Sequence, residues 1–183
     1  ALAGLINITT NAPTSDFEGR AKLTAGNYDS YGAGIALSGP ASDKANYRLA
    51  VEKYQSDGFN DNTYLDVDDT NNRDELTVRS KLAIEITDHL NIDVGFYFFD
   101  FDNGYDAFSL DNTRETMSDT PGFDKQTTRA VTERVNYSGY NFADVVAIFS
   151  YADSDLSYGY DEDWSYEGLH PWEYASEDQY FRD

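Results

Sequence analysis

The side chains that could do chemistry in this sequence are carboxylates and aromatic rings. Asp100-Phe101-Asp102-Asn103-Gly104-Tyr105-Asp106 brings three carboxylates, an amide and a glycine into one short run. Oxygen ligands at close spacing around a glycine turn suit Ca²⁺, which makes Asp100, Asp102 and Asp106 weak calcium candidates. The spacing does not match an EF-hand and no Glu closes the loop, so no metal is assigned; solvated outer loops account for the same residues. Asp66-Val67-Asp68-Asp69 and Asp161-Glu162-Asp163 are similar acidic clusters. Tyr158, Tyr160, Trp164 and Tyr166 share one acidic stretch, with Trp172 close behind. Such rings either stack on a ligand or pack within a loop. Tyr105, Asp106, Tyr160 and Trp164 are the candidate ligand contacts. His89 and His170 have no nucleophile or ligand-spaced partner nearby and read as surface histidines. With no catalytic constellation, neither an enzyme nor a cofactor is expected.

The elements that must carry these residues are strands. In residues 74–99, Leu76, Val78, Leu82, Ile84 and Ile86 share one parity, with Ser80 as the exception. Glu75, Thr77, Arg79, Lys81 and Glu85 share the other. After Thr87-Asp88-His89, Leu90, Ile92, Val94, Phe96 and Phe98 repeat the pattern. Alternation of this length predicts a hairpin with one apolar and one polar face. Strands of roughly ten residues or more suit a tilted crossing of a bilayer. The alternation alone does not say whether the apolar face meets a protein core or lipid.

The same rhythm recurs elsewhere. Residues 17–26 alternate, and Tyr31, Ala33, Ile35 and Leu37 oppose a very small face of Gly32, Gly34, Ala36 and Ser38, which something bulky is expected to approach closely. Residues 38–43 read as a turn. Tyr47, Leu49 and Val51 resume the alternation. A weaker strand covers 126–137, where Glu133 interrupts the apolar parity of Val131, Val135 and Tyr137. Residues 142–151 are apolar with mixed parity, and a last strand starts near Asp178. Short connections near Gly39-Pro40, Asp88 and Gly139 alternate with long ones at 56–72, 99–125 and 152–176. In a meander, this sorts the short turns to one end and the long loops to the other, as in outer-membrane barrels. Tyr54, Phe59, Tyr97, Phe98, Phe99 and Phe101 at one end, and Tyr137, Tyr140 and Phe142 at the other, are expected to form two interfacial girdles.

Composition sets further bounds. The 183 residues carry 34 acidic and 13 basic side chains, a net charge of −21. That balance excludes duplex nucleic acid as a partner, because phosphate binding needs Lys and Arg, and argues against docking on an anionic membrane surface. The absence of Cys excludes a disulfide scaffold and a thiolate metal site. No apolar run reaches the length of a transmembrane helix, and low mean hydropathy is compatible with barrel strands. The N-terminus shows no signal peptide, and the chain reads as a piece of something longer.

Ala1-Leu2-Ala3-Gly4-Leu5-Ile6-Asn7-Ile8-Thr9-Thr10-Asn11-Ala12-Pro13-Thr14 resembles the end of the plug domain in TonB-dependent outer-membrane receptors. Phe17-x-Gly19, Gly26-Asn27-Tyr28, Leu37-Ser38-Gly39-Pro40, Tyr47-Arg48-Leu49-Ala50 and Ser56-Asp57-Gly58-Phe59 follow in that family's order. The resemblance implies that 1–14 end the plug and 15–183 begin the barrel. The fold class is then all-β: an antiparallel up-and-down transmembrane β-barrel, partial, with roughly the first seven to eight of about 22 strands. Arg20, Lys22, Arg48, Arg79, Lys81 and Glu85 would face the plug across the lumen. The implied location is the outer membrane of a Gram-negative bacterium. The implied partners are its lipid, a TonB-type periplasmic energy-coupling protein reached through plug residues absent here, and a small nutrient: a ferric siderophore, a cobalamin-like compound or an oligosaccharide. A soluble all-β module binding carbohydrate or calcium is the alternative on residue patterning alone.

Overall fold

The computed structural model describes residues 9–109, 111–167 and 175–182. The first part of the plug-like segment, with His170 and Trp172, lies outside them. Ten strands form, and no helix, among the described residues: β1 (Glu18–Ala25), β2 (Tyr31–Ser42), β3 (Ala45–Ser56), β4 (Asp61–Asn62), β5 (Arg73–Thr87), β6 (Leu90–Tyr105), β7 (Glu115–Thr116), β8 (Gly122–Tyr137), β9 (Val145–Tyr160) and β10 (Ala175–Arg182). Eight of them make one antiparallel sheet in the order β1-β2-β3-β5-β6-β8-β9-β10, each long strand paired with the next. The two-residue strands β4 and β7 pair in parallel outside it. The sheet is therefore an open meander among the described residues.

Register gives each side of the sheet its chemistry, because residues directly opposite each other share a face. On one side, Ala45, Ile84, Ile92, Val135 and Ala147 form a row. The next rows run Leu49, Ser80, Phe96, Val131, Tyr151, and then Ala21, Ile35, Val51, Val78, Phe98. Between them lies the row of Tyr47, Leu82, Val94 and Phe149, in which Glu133 is the one carboxylate. In β6 this apolar stretch runs from Leu90 to Phe98, about 27 Å along the strand and about 20 Å once tilted, close to the band of about 25 Å on outer-membrane barrels. Beyond it the same side turns polar: Lys53 and Gln55 in β3, Asp74 in β5, Asp100 and Asp102 in β6, Lys125 and Thr127 in β8, Asp153 and Asp155 in β9.

No hydrophobic side chain is buried among the described residues; Leu23 is 86% exposed and Phe149 61%. The sheet thus presents a wide apolar surface that no other described residue covers.

The opposite side carries Arg20, Ala36, Ala50, Arg79 and Tyr97 in one row and Lys22, Gly34, Glu52, Thr77 and Phe99 in the next. Arg48 and Lys81 sit directly opposite each other, and Glu85 follows on the same side, opposite Asn91. Lys22 pairs with Glu52 at 2.8 Å. Arg20, Arg48, Arg79 and Lys81 have no carboxylate partner among the described residues. The end of the plug-like segment lies on this side. Lys81 Nζ donates to the Thr10 carbonyl at 3.0 Å, and Thr14 N donates to Ser38 Oγ at 2.9 Å.

The small face of β2 is closely approached, by its own neighbours: Tyr54 packs over Gly32, and Glu52 over Gly34. Among the described residues, the N-terminal segment seals Ser38, which is 1% exposed. Other expectations need correcting. Residues 38–43 are not a turn; β2 continues through Pro40 to a bulge, and the chain reverses after Ser42. Pro40 is tolerated there because the last β1–β2 pair is Glu18↔Ser38, so no ladder needs its missing N–H. The girdle at the loop end also divides. Tyr54, Tyr97, Phe99 and Phe101 lie on the charged side, opposite Glu75 or Arg79 or beside them, and only Phe98 of that strand end faces with the apolar rows.

The connections 43–44, 88–89 and 138–144 gather at one end, and 26–30, 57–72 and the described parts of those after β6 (106–109 and 111–121) and β9 (161–167) at the other. Ser38→Ala removes the acceptor for the Thr14 amide and a donor to the Tyr47 carbonyl. It is expected to cost about 1–3 kcal/mol and to open residues 9–16 to limited proteolysis before the sheet. Unchanged cleavage would show that Ser38 does not hold the segment.

Candidate functional site

The long loops at one end of the sheet close into a single cap around Asp106. This carboxylate is 5% exposed. Its Oδ2 accepts hydrogen bonds from Asn62 Nδ2 at 2.9 Å, Thr70 Oγ1 at 2.7 Å and Thr116 Oγ1 at 2.7 Å, and its carbonyl accepts from Asn60 Nδ2 at 2.6 Å. Asn62 also donates to the Ser118 carbonyl. Donors from 57–72 and 106–121 therefore converge on one anion, which binds far better than a neutral acceptor would. The β4–β7 ladder runs beside them. Rings tie in the remaining loops. Tyr64 stacks on Tyr166 at 4.9 Å, Phe108 on Trp164 at 4.7 Å, and Arg114 reaches the Tyr28 hydroxyl.

Beneath the cap, on the charged side of the sheet, is a cleft of about 420 Å³ lined by Tyr105, Phe108, Asp124, Tyr158 and Tyr160. Its shape follows from register. β6, β8 and β9 lie side by side, and Asp124 sits between Asn103 and Tyr158. One step toward the loops, Tyr105 faces Gly122. Gly122 carries no side chain because the 159–160 backbone lies against it: a Cβ there would overlap the Gly159 carbonyl. The Tyr158 and Tyr160 rings are parallel, 3° apart in plane with centroids at 6.5 Å. Phe108 meets Tyr105 edge-on at 6.0 Å.

The Tyr158 hydroxyl donates to Glu177 Oε2 at 2.7 Å. That bond raises the phenol above its ordinary range and lowers the Glu177 carboxyl. Asp124 has no hydrogen-bond or ion-pair partner among the described residues.

The four candidate ligand contacts are brought together: Tyr105, Asp106, Tyr160 and Trp164 line one small space with Phe108, Ser118 and Asp161. Their roles divide. Tyr105 and Tyr160 open onto the cleft, Trp164 backs Phe108, and Asp106 is occupied by the cap. Tyr158 and Tyr160 belong to the end of β9 rather than to a loop. The calcium candidates are not brought together. Asp100 accepts from Thr127 and Asp102 pairs with Lys125, both on the outer side of the sheet, while Asp106 is turned into the cap. Among the described residues, no group of three or more metal-ligating side chains occurs. Asn60, Asn62, Thr70, Thr116 and Asp124 went unread in the sequence, because single polar residues in acidic loops carry no spacing signal.

Asp161 is the strained member of the cap. It is 6% exposed, its Oδ2 has no hydrogen-bond partner among the described residues, and burial raises its carboxyl above the ordinary value. A raised folded-state value means that the native state binds the proton more tightly than the unfolded chain. The cap should therefore gain stability as pH falls toward the unfolded value of about 3.9, and lose it as pH rises through the folded one. Amide exchange in 60–70 and 111–118, corrected for intrinsic rates, is expected to slow as pH is lowered from neutral toward the unfolded value of about 3.9. Asp161→Asn should flatten that dependence, and a profile unchanged by the substitution would exclude Asp161 as its source. Asp106→Ala leaves buried donors without an acceptor and is expected to cost about 1–3 kcal/mol or more, read as loss of protection in both loops together.

No protein-family model matches this chain, and no curated protein matches it.

Proposed function

We propose that this chain is part of the wall of a TonB-dependent outer-membrane receptor, with residues 9–14 ending the plug and the meander from Glu18 beginning the barrel. The apolar side of the sheet faces lipid and the charged side faces a plugged lumen. The capped loop end faces outward to receive a scarce nutrient, and the short turns face the periplasm. The protein would supply binding and gating, with energy delivered through a periplasmic coupling protein acting on the plug.

One observation carries this reading. The sheet has an apolar band about 20 Å tall, broken within its rows by Glu133 and ending at the row of Phe98 and Arg129, polar beyond it, and no hydrophobic side chain is buried among the described residues. A water-soluble sandwich of this many strands would bury those rows against a second sheet. Two further features support it. The three longest connections of the sheet, β3 to β5, β6 to β8 and β9 to β10, fall at one end. Arg20, Arg48, Arg79, Lys81 and Arg134 on the charged side have no carboxylate partner among the described residues, and the plug-like segment contributes the Thr10 carbonyl to Lys81. The order of motifs resembling the family, from Phe17-x-Gly19 to Gly58-Phe59, adds to these.

Orientation can be tested residue by residue. Val94 sits in the middle of the band, with Ile84 one row nearer the turns. Val94→Arg is expected to cost about 2–4 kcal/mol in lipid vesicles, measured by denaturant unfolding. Lys81→Ala, on the opposite side, should cost about 1 kcal/mol or less. Equal costs would reject the orientation. A folded monomer in water without detergent would reject the membrane reading and favour the soluble module.

A further inference from the structure

We propose that the cleft between Tyr105 and Tyr160 binds an organic cation: an ammonium or guanidinium group carried on a small apolar body. This deepens the reading of the loop end as the ligand-receiving mouth, and rests on it only for the side from which the ligand arrives.

The lining is four aromatic rings and one carboxylate. Ring faces attract a cation through their quadrupole, most strongly where water is partly excluded. The parallel Tyr158 and Tyr160 rings offer one surface and the edge-on pair of Tyr105 and Phe108 another. Asp124 stands among them without a partner among the described residues, and is placed to neutralise the guest. Among the described residues, no basic side chain lines the cleft. Lys125, next in sequence, points to the other side of the sheet, where Asp102 holds it at 2.9 Å.

The surroundings reinforce the sign. Glu177 is hydrogen-bonded to Tyr158 at the cleft, Asp161 is buried just above, and the whole chain carries −21. Such a field draws cations toward the mouth and repels anions. An anionic ferric chelate would meet Asp124 and Glu177 with no Arg or Lys to bind it. The unpaired Arg20, Arg48, Arg79 and Lys81 lie deeper, toward the short turns, so they do not cancel this field at the mouth. A volume of about 420 Å³ falls within the range of small-ligand sites.

The test is calorimetric titration of the full chain in detergent micelles with choline, its neutral isostere 3,3-dimethylbutan-1-ol, maltotriose and ferric citrate. Choline is expected to bind about tenfold or more tighter than the neutral alcohol. Asp124→Asn should weaken choline about tenfold, Tyr160→Leu should weaken it further, and Tyr160→Phe should retain it, since the ring face remains. Circular dichroism checks that each variant keeps its strand content.

Equal affinity for the alcohol, tighter binding of maltotriose or ferric citrate, undiminished binding by Asp124→Asn, or no choline binding by the folded chain would each overturn the proposal. Failure of the membrane reading is distinguishable. It would show as folding in water with choline binding intact, whereas failure of the cleft alone leaves detergent-dependent folding unchanged.

Discussion

A sheet has two faces, and among the described residues neither the apolar face of this one nor its outer edges are covered by a core. Everything else follows from that constraint. The backbone ladders satisfy the peptide groups across eight strands, so hydrogen bonding does not demand a second layer. The apolar rows do, because about 25 cal/mol is at stake for each Å² of apolar surface taken from water. Lipid can take that role only if the polar groups of the spanning segment are paired, which a continuous antiparallel ladder achieves. The height of the apolar rows, and the abrupt change to Asp100, Asp102, Lys125 and Asp155 above them, then become features of one boundary.

Most of the sheet was legible in the sequence, and most of the loop end was not. Where one face of a strand is apolar and the other polar, the period of two stands out, as in Leu76 to Ile86 and Leu90 to Phe98. Above the apolar band the alternation goes on with the faces exchanged: Asp100, Asp102 and Asp155 take the side that was apolar, and Phe99, Phe101, Leu156 and Tyr158 the other. Read as loop, these stretches instead extend β6, β8 and β9. The connections are correspondingly shorter than they read. The cleft was hidden for another reason: its five lining residues come from three separate stretches of chain. Pro40 misled for the opposite reason: a residue that usually ends a strand sits where the neighbouring strand has already ended.

The aromatic residues show how little residue type says without register. Tyr97 and Phe98 are adjacent in sequence and alike in character, yet one lies over Gly95 beside the charged rows and the other among the apolar ones. Arg79 sits over the Phe99 ring at 5.7 Å on the charged side and Arg129 over the Phe98 ring at 6.0 Å on the other, so a cation over a ring does not tell the two faces apart. Register alone separates the aromatic residues near this strand end.

The parallel ladder between Asp61–Asn62 and Glu115–Thr116 has a consequence for how such a surface can change over time. Outer loops are ordinarily where insertions and deletions are absorbed, each loop independently. Here a residue added between Asn60 and Thr70 would shift Asn62 off both Asp106 and its partner strand. A compensating change near Thr116 would be needed to restore the match. The two loops are therefore bound to vary as one unit, in step, while 161–167, joined by stacked rings rather than by register, keeps more freedom to drift.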